Sequence, residues 1–247
     1  MSSIRSSPES LAAKPGAWTE LALTLPIFLA YQLGVVFLNV RNGTDVVSAE
    51  LLELSHGDRI TYLAVTALLG AAMIAVFATL GRGQAFQARK FLQIAVEGAA
   101  YAVAMSSVAS WVVGRLFAGP SARAVAGVFP GLVLSLGAGF YEEVAFRVVL
   151  FGLGARLWTW VLLPNPRTER RQAQGLSRLV LAAGWAVLCA AVFSGVHYVG
   201  TLGDAFDGRS FVARSVLGLA LTTVYVTRGF ATAVWAHALY DIWVLVL

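Results

Sequence analysis

Charge is scarce in this chain: Asp, Glu, Lys and Arg make up 13% of its 247 residues, and 58% are hydrophobic. A soluble domain carries about 25% charged residues, so an ordinary water-exposed globule is excluded and a lipid-embedded one expected. Lysine is rarer still. Lys14 and Lys90 are the only two, and arginine supplies the rest of the basic excess behind the net charge of +5. In a soluble protein that excess would suggest nucleic acid; here it reads as loop charge that sets orientation in a bilayer, and no nucleic-acid partner is expected. Cysteine is limited to Cys189, inside an apolar run. An internal disulfide and a cysteine-rich metal site are both excluded, and a buried inert thiol is the reading. There is no internal repeat. Met1 to Gly16 is polar and lacks the basic-then-apolar order of a secretory signal, so the long apolar run after it reads as a retained first helix.

What is present is a series of apolar stretches, each near the roughly 20 residues needed to span a hydrocarbon core. They are Trp18–Val40, Ile60–Leu80, Phe91–Phe117, Gly131–Leu153, Leu176–Tyr198, Phe211–Thr227 and Phe230–Leu247. The expected fold is all-α, a polytopic transmembrane bundle of about seven helices (six to eight). Pro26 interrupts the first, and the Arg228-Gly229 hinge between the last two is very tight. Between the first two stretches, Val46–Leu54 reads as a short amphipathic helix at the membrane surface. Trp111, Trp158, Trp160 and Tyr198 fall near helix ends, as an interfacial aromatic belt does.

Basic residues decide orientation. With the N-terminus inside, that side holds Arg5, Lys14, Arg82, Arg89, Lys90, Arg156, Arg167, Arg170, Arg171, Arg178 and Arg228, against Arg41, Arg59, Arg115, Arg123, Arg209 and Arg214 outside. The bias favours a cytoplasmic N-terminus, and the Pro164–Arg178 loop carries most of it.

Three ionisable side chains interrupt the fourth stretch: Glu142, Glu143 and Arg147. A charge near the bilayer centre costs several kcal/mol by most estimates and normally faces a cavity or a partner. At i,i+4, Glu143 and Arg147 can pair, while Glu142 is rotated about 100° away and left without that partner. Two carboxylates in different environments suit one structural and one chemical role. Later helices carry Phe193 and His197, then His237 and Asp241, each pair again at i,i+4. A carboxylate one turn from a histidine can fix its tautomer and orientation. Gly131, Ser135, Gly137, Ala138 and Gly139 precede the carboxylates and permit close helix approach or admit a substrate backbone. Glu97 could snorkel or pair and is not assigned to the site, while His56, Asp204 and Asp207 read as solvated loop residues. Counted from helix ends, the three groups lie at different depths: His197 near the outer surface and His237 about 11 Å from the inner end. Their meeting requires tilted or offset helices.

These residues resemble the CPBP family of CAAX-processing and bacteriocin-processing intramembrane proteases (Abi-type). Its three motifs are Glu-Glu-x-x-x-Arg, Phe-x-x-x-His and His-x-x-x-Asn/Asp, in that order on separate helices. Here they are Glu142-Glu143…Arg147, Phe193…His197 and His237…Asp241. Val148 replaces a glycine that many members carry after the arginine, which bears on local packing. The resemblance covers roughly Pro130 to the C-terminus, and divides the chain into a polar cytoplasmic N-terminus (1–16), three N-terminal transmembrane helices (17–129) and a catalytic core (130–247). It implies an intramembrane endopeptidase that matures or sorts membrane-anchored proteins or peptides. Glu142 would be the base, His197 would hold the water, and His237 supported by Asp241 would stabilise the oxyanion. Glu143, Arg147 and Phe193 would give structural support.

A metal is left open. Glu142, His197 and His237 could hold Zn²⁺ with a fourth position for water, and the family is usually labelled metalloprotease. Against it, the sequence has no His-Glu-x-x-His helix, and metal-free glutamate-and-histidine catalysis has also been proposed for the family. Two other functions compete: a transporter or proton relay through the buried Glu/His/Arg cluster, and a non-catalytic scaffold derived from the family. The absence of an inverted repeat counts against the first, and retention of every motif position against the second. The Arg-rich, Lys-poor, Ala-rich composition suggests a GC-rich bacterium and its inner membrane, where prenylated CAAX substrates are not expected.

Overall fold

A computed structural model describes residues 14–38, 40–43, 45–80, 82, 88–117, 127–162, 171–200 and 203–247. Most of the polar N-terminus, and residues 163–170 of the Arg-rich loop, lie outside the described residues. In chain order the helices are α1 (Ala17–Leu38), α2 (Val46–Leu54), α3 (Arg59–Leu80), α4 (Ala88–Leu116), α5 (Val128–Gly137), α6 (Gly154–Leu162), α7 (Arg171–Gly195), α8 (Gly208–Arg228) and α9 (Phe230–Leu245). Between α5 and α6 the chain winds without a break through a π-helical segment, Ala138–Leu153, and α7 ends in a 3₁₀ turn, Val196–Tyr198. No strand occurs among the described residues.

Among the described residues, six spans are long and apolar enough to cross a membrane: Trp18–Leu38, Arg59–Thr79, Arg89–Leu116, Val128–Val161, Ser177–Tyr198 and Gly208–Arg228. α9 is apolar but shorter. The chain is therefore an all-α integral membrane protein, inverted relative to a soluble one. Phe37, Ile60, Leu92 and Trp160 are among many large apolar side chains on the outside, while Glu143, Arg147 and His237 are buried.

Several boundaries differ from the sequence expectation, and two of them bear on packing. The fourth span continues past Leu153 to Val161. The glycines at its expected end do not terminate it, and Gly154 instead lies against the Trp185 indole, where a Cβ would come within 2.6 Å. α8 starts at Gly208 rather than Phe211, because Asp207 caps it by accepting from the Ser210 amide at 2.7 Å. Asp207 and Asp204 are thus more than a solvated turn. Asp204 pairs with Arg214 at 2.7 Å, and its amide donates to the His197 carbonyl at 2.8 Å. α2 forms as expected, capped by Asp45, which accepts from the Ser48 amide at 2.8 Å.

α9 lies at the centre, against α1, α4, α5, the π segment and α8. Its buried face is small (Ala231, Thr232, Ala233, Ala236, Ala238), so neighbouring backbones approach closely. Gly139 marks the tightest approach: a Cβ there would sit 2.7 Å from Ala238 Cβ and 2.9 Å from the Val234 carbonyl oxygen. The hinge before α9 needs Gly229, whose φ of +104° disfavours any other residue. Beyond it, the Glu20 carboxylate from α1 accepts from the Phe230 and Ala231 amides at 3.2 and 2.5 Å, completing the N-terminus of α9 from 210 residues away. Glu97 pairs bidentately with Arg228, at 2.8 and 2.7 Å, tying α4 to the end of α8. Cys189 is a free, buried thiol.

Candidate active site

The π segment carries the two adjacent glutamates, which meet different neighbours. Glu143 is fully buried. Its Oε1 lies 3.1 Å from Arg147 Nη1, the expected pair, and also accepts from His237 Nδ1 at 2.7 Å. Because a carboxylate can only accept there, Nδ1 carries the proton and Nε2 faces away. Asp241, expected to orient this imidazole, lies on the other side, with Oδ2 3.6 Å from Nε2. The carboxylate bonded to His237 is therefore Glu143, from another helix, and Asp241 is a more distant neighbour of Nε2.

His197 is set by the end of α7. Its Nδ1 donates to the Phe193 carbonyl at 2.9 Å, one turn back, which leaves Nε2 of the neutral His197 ring without the proton. Both Nε2 atoms then face Glu142. Its Oε2 is 3.9 Å from His197 Nε2 and 3.9 Å from His237 Nε2, and this buried oxygen accepts no hydrogen bond among the described residues. The side chain of Glu142 is 5% exposed and that of His197 25%, so the cluster is open on the histidine side. Groups that straight helix counting separates in depth thus converge.

Phe193 is the common wall. Its ring meets His197 at 5.4 Å, His237 at 5.9 Å and Phe146 at 5.1 Å between centroids, and Arg147 Cζ sits 4.4 Å from its centre. That cation–π contact, the Glu143 pair and a 3.5 Å contact from Nη2 to the Gly218 carbonyl hold a guanidinium that is 1% exposed.

One neighbour of Glu142 was not singled out in the sequence. Asn42, between α1 and α2, donates from Nδ2 to Glu142 Oε1 at 3.1 Å. In the sequence it stands in Arg41-Asn42-Gly43, an ordinary turn composition with no sign that it enters the bundle. A buried polar network holds it. Tyr31 Oη accepts from the Asn42 amide at 3.0 Å and donates to Asp45 at 2.7 Å. Gln32 links Tyr141, Ser48 and Tyr62.

Among the described residues, no group of three or more His, Cys, Asp or Glu is arranged to hold a metal ion. Ligands about 2.0–2.2 Å from a tetrahedral Zn²⁺ lie about 3.3–3.5 Å from one another. The 3.9 Å separations here exceed that, but leave room for a hydrogen-bonded water. As arranged, the set does not fit zinc.

The bundle buries Glu142, Glu143, Arg147 and His237 together, with His197 half-buried beside them, which is the grouping that the CPBP-type motifs imply. The comparison with protein families agrees: residues 124–243 match the family model described as type II CAAX prenyl endopeptidase Rce1-like, which supports a CPBP/CAAX protease family. No curated protein and no solved structure matches the chain.

Proposed function

We propose that the chain is an endopeptidase that cleaves membrane-anchored peptides or proteins with a water activated by Glu142. The observation behind this reading is the convergence of Glu142 Oε2 with two imidazole Nε2 atoms, each 3.9 Å away. A water hydrogen-bonded within that triangle gives one proton to Glu142 and directs its second toward His197 Nε2, which is free to accept because Nδ1–H is committed to Phe193. The water oxygen adds to the scissile carbonyl carbon, and the resulting oxyanion faces His237. In this role His237 carries a proton on each nitrogen, offering Nδ1–H to Glu143 and Nε2–H to the oxyanion. Collapse breaks the C–N bond, and the leaving amine takes the proton held by Glu142. No metal takes part in these steps, so cleavage should persist in a zinc chelator; loss of activity that added Zn²⁺ restores would overturn this part of the reading.

The proposal extends to setting: a bacterial inner membrane, the N-terminus cytoplasmic, and the site reached from the opposite side. Supporting it, the segments that bring Asn42 and His197 to Glu142 follow the ends of α1 and α7, which face outward in that orientation. The test is purified protein reconstituted in liposomes with a library of membrane-anchored peptides. Fragments from the wild type and none from Glu142→Gln are expected. Intact peptides with both would remove the protease reading and return the transporter and scaffold alternatives.

A further inference from the structure

We infer that Asn42 is a positioning residue for the Glu142 carboxylate, so that the N-terminal helices complete a site whose other groups all come from the family-matched half. The inference rests on the protease reading for its catalytic consequence, though the contact itself does not. Glu142 has two oxygens with different surroundings. Oε1 accepts from Asn42 Nδ2 at 3.1 Å, while Oε2 has no hydrogen-bond partner among the described residues and faces both histidines. An amide donor on one oxygen fixes the rotation of the carboxylate and leaves the other as the atom that takes the proton from water. Without it, a side chain on the wide π turn is free to rotate about its terminal bond, which is a soft torsion.

The anchor is built rather than incidental. Asn42 is 9% exposed, and its backbone amide is held by Tyr31 Oη, which in turn donates to the α2 cap Asp45. Asp45 is 1% exposed and Ser48 is fully buried, so the segment that carries Asn42 is clamped at both ends. The match to the family covers residues 124–243, so Asn42 lies outside it.

The donor role makes an ordering that packing alone would not. Asn42→Asp keeps the shape but replaces the N–H with a second carboxylate facing Glu142, whereas Asn42→Ala merely removes the donor. If Asn42 acts by donation, activity should fall in the order wild type, Asn42→Ala, Asn42→Asp. The loss should lie in kcat, about tenfold for Asn42→Ala and a hundredfold or more for Asn42→Asp, with KM nearly unchanged. If Asn42 only fills space, the isosteric Asn42→Asp should be the better enzyme, and that order overturns the proposal.

The closing experiment adds Glu142→Gln to each variant and reads thermal unfolding of the full chain in detergent, which needs no activity. In the double variant Asn42→Asp/Glu142→Gln, the new amide donates to the new carboxylate, reversing the hydrogen bond. The melting temperature should recover toward that of Glu142→Gln, several degrees above Asn42→Asp alone, with no cleavage. Additive destabilisation would show that the two side chains do not interact, and would overturn the proposal whatever the protein's activity. Recovery of stability in a protein that never cleaves peptide, wild type included, would leave the contact standing and remove the protease reading instead.

Discussion

Glu143 has two partners where a helical wheel offers it one. The 3.6-residue period pairs it with Arg147, as found, but says nothing of His237, which comes from a helix about ninety residues later and bonds the same oxygen. Its replacement should therefore reach both stability and catalysis. Glu143→Gln leaves a buried guanidinium poorly compensated, at a cost of about 3 kcal/mol or more. It should lower the melting temperature and cut kcat together. Glu142→Gln should abolish cleavage, about 10³-fold or more, with the melting temperature within a few degrees of wild type. Equal, stability-neutral losses in the two would sink the division of roles. Asp241, at 3.6 Å from Nε2, is a weaker neighbour. Asp241→Asn should be tolerated in part and Asp241→Leu should lose about tenfold in kcat, less than Glu143→Ala; complete inactivity of Asp241→Leu in a folded protein would show that Asp241 does more than face the imidazole. Motif spacing made these residues legible in the sequence. Asn42 was not legible, because a turn asparagine that enters the core has the same local composition as one that stays in solvent.

At the scale of elements, the apolar runs showed where the helices are but not how they wind. Nothing in Ala138–Leu153 distinguishes i→i+5 from i→i+4 bonding, since the choice follows from contacts with distant helices such as that of Gly139 with α9. The fourth stretch was expected to end at Leu153, but the helix runs on, and Gly154 is a notch for Trp185. The cap on α9 escaped for a related reason: Glu20 stands in the first turn of α1, with no local feature that connects it to residue 230. Removing it should cost about 1–2 kcal/mol, as for other helix N-terminal acceptors. Glu20→Ala should thus melt several degrees lower and cleave more slowly, with Glu20→Gln falling between; an unchanged melting point for Glu20→Ala would show that water replaces the carboxylate there. Gly139→Val should be worse, because the clash is with backbone and a small side chain that cannot yield.

For the whole molecule, orientation is the property with the most direct test. Gly203 is a poor labelling position, because a Cβ there would meet the Tyr198 backbone at 2.8 Å. Ala205, exposed beside it, and Gly175, exposed at the other end of the α7–α8 pair with nothing within 4 Å of an added Cβ, are better. In a Cys189→Ala background, with cysteine introduced at either position, an impermeant maleimide applied to intact cells should label the first and not the second. The reverse would place the catalytic mouth in the cytoplasm and restore CAAX-like substrates. The Glu20 contact has a consequence for a ribosome-made enzyme inserted helix by helix. Residue 20 is synthesised long before its partners at 230 and 231, and His237 follows after them. A nascent chain thus carries Glu142 before it carries His237, and the two meet only once α9 has docked on α1 and the π segment. On the proposed function, cleavage would then have to wait until α9 is in place, and the unassembled helices nearby would be spared.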